Sequence, residues 1–391
     1  MLDSTLGWIL FPLGTALGWY LARRPRADRE GGPRAYGGPL EGISTLANDD
    51  PDQAIAALLG VDELNEEAVE LHLTLGSLFR RRGQVDRALR VHEGLRSRQS
   101  LSAQQRNRTE FELAEDYHKA GMLDRAERLY AGLADRGYKL LACLEAMVWI
   151  HESSHDWPAA IEVNRRLEAA SGMSRRFIIA QCRCEMADEA YRAGQVDQAL
   201  ALARQAQNSD KDCARASLLI ARLSADRQHW PDATDAYARV ASQEPRLLAE
   251  VVAPLWRCCR DWGRPEYFVQ WLDDLPDDQR LGAAEVIRAE LLRQSDMDPD
   301  DYLLSAFERM PSWSVLEQIA KLDSLRPDLQ ERRSRALRDA VVTLSAARQK
   351  YQCQSCGMKP AQLFWHCPSC RQWGTVFPLD DRLEVRHSPM P

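Results

Sequence analysis

Four cysteines near the carboxyl end are the residues whose type and spacing most directly indicate chemistry. They form two C-x-x-C pairs, Cys353/Cys356 and Cys367/Cys370, separated by ten residues. Two residues between cysteines let one tight turn aim both thiols at a single point, and two such turns complete a tetrahedron of sulfurs. We therefore predict one structural metal ion bound by these four side chains, rather than two disulfides or four idle thiols. Four thiolates suit zinc and iron alike, so the spacing leaves the metal open.

The segment around these cysteines, residues 350–380, is too short to fold by burying its own core. Metal binding must therefore supply most of its folding free energy, on the order of 10 kcal/mol. Gly357 suits a turn that needs positive φ. The two C-x-x-C turns, which we call knuckles, resemble those of rubredoxin, although Arg371 stands where rubredoxin has glycine. The aromatic residues that we expect to cap this module are Tyr351, Phe364, Trp365 and Trp373.

A helical repeat precedes the metal module. Residues 76–92, 114–130 and 187–203 each contain a small residue, a glycine seven positions later and an alanine five positions after that. The alanine position recurs with gaps of 34, 38, 34, 39 and 34 residues, at Ala54, Ala88, Ala126, Ala160, Ala199 and Ala233. A period of about 34 residues is typical of tetratricopeptide repeats. We predict an all-α solenoid of about seven units, which binds partners and seldom carries catalysis.

The predicted division of the chain follows from this repeat. The array covers residues 40–279, further helices follow over 280–349, and a tail, 381–391, comes after the metal module. The last helix runs directly into Cys353, so we expect the module to pack on the array. The large residues expected to fill the gaps between repeats are Phe79, Tyr117, Tyr130 and Tyr237.

A five-residue match to the H-E-x-x-H zinc-protease motif lies at residues 151–155. The repeat places His151 at the end of one helix and His155 in the following turn, so the two imidazoles would not share a helix face. The sequence also lacks a phosphate-binding G-x-x-x-x-G-K-[ST], a G-x-G-x-x-G and a G-x-S-x-G. We therefore predict no catalytic residue, no cofactor-binding residue besides the metal ligands, and no enzyme activity.

The amino-terminal residues, 1–22, predict a transmembrane helix. Nineteen uncharged, mostly apolar residues separate Asp3 from Arg23, which is enough to span a bilayer. Arginines follow the apolar stretch and none precedes it, which places the rest of the chain in the cytoplasm and argues against a cleaved signal peptide. Gly14 and Gly18 form a G-x-x-x-G face that suits a helix partner. Residues 23–39 read as a basic, flexible linker.

The bulk composition argues against broad nucleic-acid binding. The net charge is −7, and only Lys359 and Arg371 are charged around the knuckles. Six further cysteines lack framework spacing and are expected to be reduced, buried thiols: Cys143, Cys182, Cys184, Cys213, Cys258 and Cys259.

The order of these segments resembles the lipopolysaccharide assembly protein B family of Gram-negative bacteria. The resemblance covers essentially the whole chain. It rests on the anchor followed by arginines, on D-P-D-Q-A-I at residues 50–55, on L-F-R-R-R-G-Q-V-D-R-A-L-R-V-H at 78–92, and on W-H-C-P-S-C-R-Q-W at 365–373. In that family an arginine after the second knuckle is ordinary.

This resemblance implies a regulator of lipopolysaccharide synthesis at the cytoplasmic face of the inner membrane, held by one helix. It implies three partners: an FtsH-type membrane protease, the UDP-acyl-N-acetylglucosamine deacetylase of the lipid A pathway as its client, and an inner-membrane signalling protein that senses lipopolysaccharide. It also implies that the four metal ligands are required for function. A homo-oligomer is one option for the assembly state.

Two other functions remain open beside the one that the resemblance implies. One is a scaffold that gathers lipopolysaccharide-synthesis proteins at the membrane without affecting their turnover. The other is a metal- or redox-responsive switch, because a four-thiolate site loses its metal when its thiols are oxidised.

Overall fold

The computed structural model describes residues 66–276, 279, 281–292, 299–322 and 331–383, together with residues 52 and 55. These residues fall into two compact units, divided between Met122 and Leu123. The predicted anchor, the Gly14/Gly18 face and the basic linker lie outside the described residues. Within the described ranges, no helix has both the length and the apolar character that crossing a bilayer requires.

The first unit contains three of the described helices, α1 (Glu66–Arg81), α2 (Val85–Arg96) and α3 (Ala103–Lys119). The second unit begins with α4 (Leu123–Asp135), α5 (Leu140–Ser153), α6 (Trp157–Ser171), α7 (Arg176–Arg192), α8 (Val196–Ser209), α9 (Ala214–Asp226) and α10 (Trp230–Gln243). A 3₁₀ turn at Pro245–Leu247 leads into α11 (Leu248–Trp262) and α12 (Pro265–Asp273). The last helices are α13 (Gly282–Leu292), α14 (Pro299–Arg309), α15 (Trp313–Leu322) and α16 (Glu331–Ala347).

Helices that are neighbours in sequence pack as pairs, namely α1 with α2, α5 with α6, α7 with α8, α9 with α10 and α11 with α12. This is the tetratricopeptide arrangement that the repeat predicts. The described alanines of the repeat are completely buried, at Ala88, Ala126, Ala160, Ala199 and Ala233. The small residue of the first helix is equally constrained, because a Cβ on Gly76 would collide with the His92 ring of α2. Close helix approach therefore explains the small residues of the pattern.

One left-handed residue ends the first helix of each repeat. It is glycine at Gly83, Gly121, Gly194 and Gly263, with φ between +75° and +77°. His155 and Gln228 take the same position with φ of +59° and +60°. We call the helix that precedes this residue the first helix of its repeat, so the first helices are α1, α3, α5, α7, α9 and α11.

The large residues predicted to fill the gaps between repeats are buried as expected, at Phe79, Tyr117, Tyr130 and Tyr237. A buried polar cluster joins the helices of the first unit. Asp116 Oδ1 accepts from Arg80 Nη1 at 2.7 Å, and its other oxygen lies 2.5 Å from His92 Nδ1. This carboxylate is buried, so its two cationic or polar partners offset the cost of removing it from water.

A two-stranded ribbon follows α16. Strands β1 (Tyr351–Cys353) and β2 (Val376–Pro378) are antiparallel, with Cys353 opposite Val376. After β2 the chain returns to the start of α15. Asp381 accepts from the Ser314 N–H at 3.2 Å and from Arg348 Nη1 at 2.6 Å, and the Leu383 N–H donates to the Pro311 carbonyl at 2.9 Å. These bonds tie the end of the ribbon to the helices that precede it.

Candidate metal centre

The two knuckles have the same backbone geometry. In the first, the Gly357 N–H donates to the Cys353 carbonyl at 2.9 Å; in the second, the Arg371 N–H donates to the Cys367 carbonyl at 2.8 Å. Gly357 has φ of +77° and Arg371 has φ of +56°, so both turns need a left-handed residue. Glycine accepts this conformation freely, whereas arginine pays about 1–2 kcal/mol for it. The substitution for the rubredoxin glycine therefore changes the side chain and leaves the turn intact.

The four sulfurs converge as the spacing predicts. All four Sγ atoms lie within 4.8 Å of one another, which among the described residues is the one cluster of at least three candidate metal ligands. The Cys353–Cys370 and Cys356–Cys367 Sγ pairs are both 3.8 Å apart. A tetrahedron with metal–sulfur bonds of about 2.3 Å has edges of about 3.8 Å, so the arrangement fits a single bound ion. All ten cysteines are free thiols, with no disulfide.

The electrostatics of the cluster also favour a cation. Burial raises the pKa of Cys353, but the Thr375 hydroxyl and the N–H groups of the knuckle outweigh that effect and lower it to about 6. Burial raises the pKa of Cys367 to about 11. Four thiolates this close repel one another, and a bound cation removes that penalty. The four cysteines can therefore hold one metal ion, and the donor set is compatible with both zinc and iron.

Exposure divides the four cysteines into two pairs. Cys353 and Cys367 are completely buried, whereas Cys356 is exposed and Cys370 is partly exposed. The buried pair packs with Val376, Tyr351 and Phe364. Tyr351 and Phe364 thus cap the site as predicted.

The two tryptophans expected in this cap instead face the helices. Trp373 is 8% exposed and joins a buried cluster with Trp157, Ile179 and Cys182 of the second unit. Its ring meets that of Trp157 edge to face, with 6.1 Å between centroids. Its indole Nε1–H donates to Glu152 Oε1 at 3.1 Å. Trp373 is therefore an anchor between the ribbon and α5, rather than part of a free-standing cap.

Further contacts hold the ribbon across the first helices of four repeats. On α5, Ser153 Oγ accepts from Arg371 Nη1 at 3.1 Å. On α7, a Cβ on Gly374 would strike the Phe177 ring, so that glycine permits close approach. On α11, Glu250 Oε1 accepts from the Tyr351 hydroxyl at 2.7 Å. The prediction that the module packs on the array is confirmed.

On α9, a buried arginine receives the ribbon. Arg215 is 3% exposed, and its guanidinium lies 5.5 Å from the centre of the Trp365 ring. It pairs with Glu185 at 3.0 Å and Asp188 at 2.8 Å on α7. A buried arginine needs both charge partners to offset its desolvation. The sequence offered no signal for this role, because charged residues on such helices are usually exposed.

The H-E-x-x-H match is divided between two elements, as predicted. Helix α5 ends at Ser153, so His151 lies in its last turn and His155 lies in the left-handed turn beyond it. His151 is buried, with Nε2 3.7 Å from Glu127 Oε1. Glu152 is engaged by Trp373, and burial raises its pKa. Nothing in the sequence indicated that Glu152 docks the ribbon.

His366 and the six cysteines outside the sulfur cluster lie where the sequence predicts. His366 is not part of the sulfur cluster: its Nε2 donates to the Arg371 carbonyl at 2.7 Å and its ring stacks on Trp373. The six other cysteines are all buried. Burial raises the pKa of Cys182 and of Cys259 to about 12, which keeps both thiols protonated.

Comparison with known proteins assigns the ribbon and then the whole chain. Residues 351–378 match the family described as "Rubredoxin metal binding domain". Among solved structures, the C-terminal part of a TPR repeat-containing protein from Cytophaga hutchinsonii matches at 14% identity, with a TM-score of 0.34, over 61% of this chain and 97% of that one.

Two relatives extend over nearly the full length. Lipopolysaccharide assembly protein B of Escherichia coli strain K12 is 30% identical over 380 residues, which is 95% of this chain and 97% of that protein. The protein of the same name from Haemophilus influenzae is 26% identical over 96% of this chain and 98% of its own length. The chain belongs to the lipopolysaccharide assembly protein B family.

Proposed function

We propose that this chain is a non-enzymatic regulator of lipopolysaccharide synthesis that acts by binding other proteins. Its relatives carry the name of an assembly protein, and its described residues form paired helices of a kind that offers binding surfaces. In this proposal residues 1–22 anchor the chain in the inner membrane and the helices lie on the cytoplasmic side.

The metal centre has a structural role in this proposal. Cys353, Cys356, Cys367 and Cys370 bind one zinc or iron ion, and a site closed by four protein ligands leaves no position for a substrate. The observation that carries the proposal is the docking of this ribbon across α5, α7, α9 and α11. A structural ion fixes the small ribbon, and the ribbon in turn joins four repeats into one rigid surface.

The finer mechanism that we propose is adaptor-mediated proteolysis. The chain presents the UDP-acyl-N-acetylglucosamine deacetylase of lipid A synthesis to an FtsH-type membrane protease, and an inner-membrane protein that senses lipopolysaccharide controls this step. An anchor would confine adaptor and protease to one surface, and a rigid repeat surface would hold the client.

The half-life of the deacetylase in cells tests this mechanism. After synthesis is blocked, its decay is followed with the chain present, with the chain depleted, and with the chain present but the protease inactive. Adaptor function requires a longer half-life in both of the latter states. An unchanged half-life on depletion would favour the scaffold, in which the chain gathers enzymes without altering their turnover.

One feature favours a redox-responsive role as the second candidate. Cys356 is exposed and Cys370 is partly exposed, so half of the sulfur cluster is open to small oxidants. This function would be supported over a purely structural ion if mild peroxide caused reversible loss of the metal and slower degradation of lipid A synthesis enzymes.

A further inference from the structure

The ribbon shows how this chain uses the faces of its first helices. On α5 it contacts Ser153, Glu152 and Trp149, which stand two, three and six residues before the left-handed turn residue His155. These positions lie on one side of the helix. In the second unit, therefore, a polypeptide segment occupies the surface that these repeat positions form.

The same repeat positions in the first unit lie beside an open groove. Counted back from Gly83, they are Arg81, Arg80 and Ser77 on α1. A groove of about 220 Å³ runs beside them, lined by Leu73, Thr74, Ser77, Leu78, Arg81, Arg108 and Glu112. This volume is below the roughly 300–1,000 Å³ typical of small-molecule sites, and it suits one large side chain.

The groove combines an apolar surface with uncompensated positive charge. Leu78 is 42% exposed, although it lies in a helix that is otherwise well packed. The carboxylate of Glu112 is paired with Arg80 at 2.6 Å and accepts from the Ser77 hydroxyl at 3.0 Å, so Arg80 already balances its negative charge. Among the described residues, no carboxylate pairs with Arg81 or its exposed neighbour Arg82.

We propose that this groove binds an extended acidic segment of a partner protein, with an apolar side chain against Leu78 and a carboxylate on Arg81. The Thr74 hydroxyl borders the groove and can bond the backbone of such a segment, and Ser77 Oγ, whose proton is donated to Glu112, can accept from a backbone N–H. The precedent within the chain is the ribbon, which occupies the equivalent positions on α5. This inference does not depend on the identity of the client or on the proteolytic mechanism.

Fluorescence anisotropy with the full-length chain in zwitterionic detergent tests the site. The probe is a fluorescein-labelled peptide, GDELELDG, and a second peptide, GDESESDG, keeps its charge without the apolar side chains. Loss of a charge-assisted contact at a partly desolvated groove should weaken binding about tenfold or more, so Arg81→Glu should raise the Kd of the first peptide by at least that factor. The second peptide should bind at least about tenfold more weakly than the first, because burying a leucine side chain is worth more than 1.4 kcal/mol.

Arg106→Glu is the matched control. Arg106 is exposed on α3 and, by helical periodicity, faces away from Glu112, so this variant carries the same change in charge without touching the groove. Its Kd should stay within about twofold of the parent. Absence of peptide binding, or equal weakening by Arg106→Glu, would overturn the proposal. It would also be overturned if phosphatidylglycerol vesicles bound in an Arg81-dependent manner and the peptide did not, since Arg81 would then contact a membrane surface.

Discussion

Replacement of Trp373 by alanine tests whether the ribbon is clamped to the second unit. The indole is 8% exposed, donates to Glu152, and packs against Trp157. Truncating a buried tryptophan costs about 3–5 kcal/mol. Part of this loss falls on the ribbon itself, because the His366 ring stacks on the same indole. We therefore assign about 3 kcal/mol to docking, which at about 1.4 kcal/mol per tenfold raises the undocked fraction about 100-fold.

The buried thiol of Cys182 reports on undocking. It lies in the same cluster as Trp373, and burial, with the nearby Glu152 and Glu185 carboxylates, raises its pKa to about 12. The thiolate attacks the double bond of N-ethylmaleimide, and the buried thiol is protonated, so alkylation proceeds through the open state and its rate follows the open population. With zinc-loaded protein and peptide mapping by mass spectrometry, Trp373→Ala should accelerate Cys182 alkylation about 100-fold.

Two controls separate undocking from unfolding. Cys259 lies in a part of the core toward α12, so its alkylation should not change in the same sample. Glu152→Ala lies outside the ribbon and leaves the indole N–H without its acceptor, which costs about 1–3 kcal/mol. It should accelerate Cys182 alkylation about 5- to 150-fold with zinc fully retained. Unchanged Cys182 rates in both variants would refute the clamp.

Three further predictions concern the metal and the packing. Cys367→Ser removes one buried ligand, so zinc content measured by elemental analysis should fall from one ion per chain toward zero; full retention would exclude Cys367 as a ligand. Arg371→Gly relieves about 1–2 kcal/mol of left-handed strain but loses the contacts to Ser153 and Trp149, so zinc should be retained while Cys182 alkylation rises a few-fold. Slower alkylation than in the parent would show that the arginine contacts contribute nothing to docking. Gly76→Ala places a methyl group into the His92 ring and should destabilise the first unit by about 1–3 kcal/mol in denaturant unfolding, whereas an unchanged midpoint would contradict the close packing.

The repeat and the convergence of the four cysteines could be predicted because their spacing is local. A small residue, a left-handed turn and an alanine recur at fixed offsets, since each repeat solves the same packing problem. Two C-x-x-C turns converge for a similar reason, because each turn positions its own pair of thiols. The structure places Ala88, Ala199 and the four cysteines as these offsets require.

The docking contacts could not be predicted in this way. Trp373 and Glu152 are 221 residues apart, and nothing in the spacing of either segment specifies the other. Arg215 carries a charge that periodicity assigns to a solvated face, yet it is buried between two carboxylates and Trp365. His155 and Arg371 adopt left-handed turns in which sequence rules expect glycine. Tertiary contacts decided each of these positions.

The most direct test of the central claim measures deacetylase half-life in cells that express Trp373→Ala at the parental level in place of the parental chain. If the docked ribbon makes the repeats a working adaptor surface, the half-life should lengthen as it does on depletion, while Trp262→Ala, which alters a tryptophan that contacts Tyr267 and Arg264, should leave it unchanged. A parental half-life in the Trp373→Ala strain, with undocking verified by Cys182 alkylation, would contradict the account.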